Sequence, residues 1–107
     1  MSMYVELLSK AVDDGLEEFT GEALVGYVLA CRAEMLATGP YWGASAYDAL
    51  AAEVAYDRAL LKLCSTSGIE VEAADFTHPS EERRYLETEL AGGGINLRSL
   101  ARQTRTR

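Results

Sequence analysis

Residues Glu22 to Ala37 read EALVGYVLACRAEMLA, and the fold follows from how this stretch is covered. Advancing about 100° per residue, Leu24, Val28, Cys31 and Met35 fall on one line, with Val25, Leu29 and Leu36 beside it. Gly26, Ala30, Ala33 and Ala37 occupy the opposite side and are small rather than polar. Small residues let a second backbone come close, so the periodicity predicts a central helix covered on two sides.

The flanking sequence continues the helical pattern. Tyr4 to about Asp14 reads as a first helix, with Val5, Leu8 and Val12 inward and Gly15 as a stop. Thr20 suits the N-cap of the helix over 22–37. Thr38-Gly39-Pro40-Tyr41-Trp42-Gly43 ends that helix, since glycine and proline break the pattern. Trp42 is read as plugging one end of the core. The alternative makes Tyr41 and Trp42 an aromatic contact patch for another protein.

Ser45 and Asp48 open a long helix to about Cys64. One of its faces carries Tyr47, Leu50, Val54 and Leu61; a second carries Ala49, Ala52, Tyr56, Ala59, Leu60 and Leu63. After Ser65-Thr66-Ser67-Gly68, residues 69–73 alternate apolar and acidic, as a half-buried extended segment does. With no second strand to pair with, the stretch over about 69–74 is expected to lie against helices, or to pair with the same segment of a second copy. Pro79 opens a further helix with a thin stripe of Tyr85, Leu86 and Leu90, and Gly92-Gly93-Gly94 closes it. Ile95 and Leu97 could dock, whereas RSLARQTRTR reads as too polar to bury and as disordered.

These readings give an all-α fold: a compact bundle of four or five helices, one short extended segment and a disordered basic C-terminal tail. Residues 1–94 form a single helical domain and 95–107 a flexible tail. A chain of 107 residues suffices for one core without staples.

Charge is unevenly placed. The net value is −7, yet all seventeen acids lie between Glu6 and Glu89 against six bases, and four arginines follow with no acid. An acidic body repels nucleic acid and anionic membranes. The two cysteines, Cys31 and Cys64, lack the spacing of a zinc site or a disulfide framework. No basic leader precedes an apolar run, and the longest apolar run, from Ala23 to Cys31, is too short to span a bilayer. A soluble cytoplasmic protein is expected, with no cofactor, metal or small-molecule ligand.

Four places could hold chemistry. Arg32 lies within an apolar face, as does Asp57, and the two are expected to form a buried ion pair, with Glu53 as the other possible partner for Arg32. Cys64 and His78 are the thiol and imidazole that could converge, but a nucleophile needs its base within hydrogen-bond reach and Cys64 ends an apolar face. The glycines at 92–94 lack the lysine of a phosphate loop. Arg98, Arg102, Arg105 and Arg107 could touch phosphates, without aromatics interleaved to stack bases.

The favoured function is therefore a non-enzymatic protein–protein interaction module acting on an unknown protein or on a second copy. Weak nucleic-acid association through the arginine tail is one alternative. The other is a small enzyme with Arg32, Tyr56, Asp57 and His78 around a pocket between helices.

Overall fold

The computed structural model describes residues 3–12, 20–37 and 46–105. Its helices are α1 (Met3–Val12), α2 (Gly21–Ala37), α3 (Ala46–Thr66), α4 (Pro79–Gly92) and α5 (Leu97–Arg105), with a 3-10 turn at Ala73–Asp75 before α4. The fold is an all-α bundle, as the periodicity predicts. Tyr41, Trp42 and Arg107 lie outside the described residues.

The helix boundaries have local causes. Thr20 accepts from the Ala23 amide at 3.1 Å at the start of α2. Pro79 occupies the first turn of α4, where its missing N–H costs nothing, and Glu81 and Glu82 suit the helix dipole there. The ends of α3 and α4 share one device. Gly68 and Gly94 take φ of +82° and +103°, turning the chain so that Ile69 N–H reaches Cys64 O at 2.9 Å and Ile95 N–H reaches Leu90 O at 2.8 Å. Each places an apolar residue just past the glycine back against the core, the geometry of a Schellman stop.

α3, rather than α2, is the hub. Ala52, Tyr56, Ala59, Leu60, Leu61, Leu63 and Cys64 are all buried, and α3 packs on α1, α2 and α4. α2 fully buries only Leu24 and Val28, while Gly26, Ala30, Ala33 and Ala37 face outward and Leu36 is 61 % exposed. The expectation of a central helix covered on two sides is thus corrected. Small residues permit close approach but supply little area, so burial went to the helix with large side chains on several sides. Leu8 from α1, Phe76 after the 3-10 turn, Leu86 and Leu90 from α4 and Leu97 from α5 complete the core.

The segment after α3 does alternate: Ile69 and Val71 are half-buried against the core, Glu70 and Glu72 exposed. It runs only to Glu72 before the 3-10 turn, which Glu72 and Asp75 close by a reciprocal capping box. The disordered tail is also corrected, because the chain beyond Gly94 forms α5. Asn96 Oδ1 accepts the Ser99 amide at 3.1 Å, Leu97 is 1 % exposed, and α5 packs on α2 and α4. Its arginines hid the helical spacing of Leu97, Leu100 and Ala101, which is enough to seat one face.

Candidate functional site

Two polar groups of α4, Arg83 and Glu87, stand one helical turn apart and organise the buried charge of the protein. Arg83 donates from Nε to Asp57 Oδ1 at 2.7 Å, and from a terminal nitrogen to Asp57 Oδ2 at 2.9 Å and to Glu53 Oε1 at 2.8 Å. Tyr4 of α1 donates its hydroxyl to Asp57 as well. Asp57 is fully buried, and this bidentate fork with an added hydroxyl is what satisfies a carboxylate there. Burial pushes the Asp57 carboxyl above its ordinary range, while the bonds from Arg83 and Tyr4 pull it back. Burial also opposes the Arg83 charge, but the Asp57 bond outweighs it and holds the guanidinium protonated.

Glu87 gathers a second set. Its Oε2 accepts from the Tyr56 hydroxyl at 2.5 Å and from Arg32 Nε at 3.3 Å. Its Oε1 lies 3.7 Å from Arg98 Nε. Burial, then the bond to Glu87, pushes the Tyr56 hydroxyl well above the ordinary tyrosine range, so it serves as a donor.

The expected Arg32–Asp57 pair is therefore corrected: buried Asp57 and half-buried Arg32 each stand in an ion pair, but with a different partner. α4 supplies a base for Asp57 and an acid for Arg32, and so it takes both. Neither Glu87 nor Arg83 stood out in the sequence, because α4 reads as a thin apolar stripe among charges. An available signal was that Arg83 and Glu87 flank the Leu86 stripe.

The four residues of the pocket alternative do not share one cavity. Arg32 and Tyr56 meet at Glu87, Asp57 turns to Arg83, and His78 is exposed with Nδ1 3.4 Å from Thr77 Oγ1. Cys64 is buried in the core, where burial pushes its thiol up to about 12, and Cys31 is half-buried with its thiol also raised by burial. Among the described residues no group of three or more metal-ligating side chains converges, and no helix is long and apolar enough to cross a membrane.

Two concave surfaces stand out among the described residues. One is an apolar groove of about 380 Å³ between α1 and α3, floored by Leu7, Leu50 and Val54, with Tyr47 at its edge and Arg58 as its charged member. Arg58 donates to Tyr27 at 3.1 Å, and its buried Nε has no acceptor among the described residues. The other is a polar cleft of about 470 Å³ between α4 and α5. Of the tail arginines, Arg98 and Arg102 line that cleft, and Arg105 is the last residue of α5. No protein-family model, curated protein or solved structure matches this chain.

Proposed function

We propose that this chain is a non-enzymatic helical module that acts through protein–protein contact, and that the occupant of its α1/α3 groove is a second copy. The observation that carries this reading is that two of the exposed large apolar side chains, Leu7 and Tyr47, line one apolar groove, while Leu36 and Tyr85 stand on other helices. Leu7 is 37 % and Tyr47 78 % exposed along the groove, and Met3, one turn before Leu7, is 73 % exposed. Exposed apolar residues scattered singly mean little, whereas a contiguous set along a trough marks a contact surface.

Charge favours a second copy as occupant. Exposed groups of both signs, Glu6 and Lys10, stand beside Leu7 on α1, so two copies related by a two-fold axis can set unlike charges opposite each other. Supporting the non-enzymatic part, the buried titratable groups are engaged with one another: Asp57 with Arg83 and Tyr4, Glu87 with Arg32 and Tyr56.

A stable interface covers about 800 Å² per partner, more than this groove offers alone, so the association is expected to be weak. The net charge of −7 opposes it, and added salt screens that repulsion. Sedimentation of the purified chain at rising concentration, in low and moderate salt, tests the proposal. The expected result is a mass above one copy at tens of micromolar that grows with salt and is lost in Leu7→Ser and Tyr47→Ser. A single-copy mass throughout would remove the second copy as occupant.

A further inference from the structure

We infer that two copies join through their α3 helices in one antiparallel register, with Tyr47 of each copy laid on Arg58 of the other. This rests on a second copy being the occupant of the α1/α3 groove, and it assigns the geometry of that contact. The residues that α3 contributes to the groove are Tyr47, Leu50, Ala51, Val54, Ala55 and Arg58, a stripe with the spacing of one helix face. Under a two-fold axis, residue i of one copy meets residue j of the other, and j meets i. An axis crossing α3 between Ala52 and Glu53 maps this stripe onto itself. Tyr47 then meets Arg58, Leu50 meets Ala55, and Ala51 meets Val54.

Each of these pairings is complementary. Leu50 and Val54, the larger aliphatic side chains, each face an alanine, so the two stripes interdigitate. Arg58 is the one charged group on the stripe, and among the described residues no carboxylate forms an ion pair with it. Its terminal nitrogen donates to Tyr27, and its buried Nε has no acceptor among the described residues. An aromatic ring against a guanidinium attracts the charge without needing to accept a hydrogen bond. Tyr47, 78 % exposed on the same stripe, is the ring that the partner copy offers.

Other arrangements lose these matches. Parallel helices would set Arg58 against Arg58 and Leu50 against Leu50, opposing like charges and crowding large side chains. Sliding the antiparallel pair until Leu50 faces Arg58 carries Tyr47 to Leu61, which is buried in its own core. Sliding it a turn the other way carries Arg58 past Ala46, where α3 begins. In the assigned register, Leu7 and Ala11 of α1 form the wall along which the partner's α3 lies.

Sedimentation of the full chain tests the register, with denaturant unfolding of every variant to show that it folds. Ala55→Leu alone sets a leucine against the partner's Leu50 and should weaken self-association about tenfold. Adding Leu50→Ala re-forms a large-against-small pair across the axis and should recover most of that loss. Tyr47→Ala and Arg58→Met should each weaken association about tenfold, since two symmetric contacts go together. Their double variant should be no weaker than the worse single variant, because both changes remove the same contact. Where Ala55→Leu does not fold, the Tyr47 and Arg58 variants decide. An added Leu50→Ala that recovers nothing, or losses at Tyr47 and Arg58 that simply add, overturns the register. If Leu7→Ser still abolishes association in that case, the second copy occupies the groove in another register. A single-copy mass for the parent chain removes both.

Discussion

The two faces of α3 invert the usual relation between polarity and burial. On one face Tyr56 and Asp57 are both fully buried, although one carries a hydroxyl and the other a carboxylate. On the other, Tyr47 is 78 % exposed and Leu50 and Val54 line an open groove. The difference lies in what each face meets. α4 brings Arg83 and Glu87, which satisfy polar atoms, against the first face, whereas α1 covers the second only in part. Burial here is decided by the partners a side chain finds, and a residue's own hydropathy comes second.

The sharpest way to break this comparison is Arg83→Met, which leaves Asp57 buried without its base. Removing one partner of a buried pair costs about 3–5 kcal/mol, so the denaturant midpoint at pH 7 should fall steeply. The pH dependence gives a second readout. Burial already pushes the Asp57 carboxyl up, and without Arg83 it rises further. A carboxyl whose folded value exceeds its unfolded value binds more protons when folded, so stability returns as pH falls through the folded value. The gap between variant and parent should therefore narrow as pH falls below 7; an unchanged gap would mean that Asp57 is not the source of the loss.

Glu87→Gln tests the other polar set with a smaller effect. It removes the countercharge of Arg32, whose side chain is 15 % exposed, while keeping the shape. A cost of about 1–3 kcal/mol is expected in chemical denaturation. Tyr4→Phe should cost about 1 kcal/mol, because Asp57 loses one donor but keeps Arg83. The open face should respond least. Tyr47→Ser is expected to change stability by no more than about 0.5 kcal/mol. A loss well beyond that would show Tyr47 to be part of the packing and would close the groove as a contact surface.

Much of the fold was legible because helical periodicity and helix stops are local. The glycines at 68 and 94, Pro79, and the apolar lines of α1, α3 and α4 all act within a few residues of themselves. The misreadings share a different origin. α2 is apolar on nearly every side, which marks it as fit for burial without saying that other helices will enclose it. α5 was hidden because its three arginines outweigh Leu97, Leu100 and Ala101 in any reading by composition. The ion pairs were missed because Arg32 and Asp57 advertise a need for opposite charge, and many acids and bases could meet it.

The sequence by itself determined that the chain is all-α, where most helices begin and end, and that the charged residues inside apolar faces would be paired. Only the tertiary structure decided that α3 and not α2 lies at the centre, and that Asp57 takes Arg83 while Arg32 takes Glu87. It alone placed Arg98 and Arg102 on one cleft. The physical reason is range. Dihedral preference and hydrogen bonding within a helix are fixed over four or five residues, whereas the partner of a buried charge is fixed by which helix packs against it. Arg32 and Glu87 stand 55 positions apart, and no local rule reaches that far.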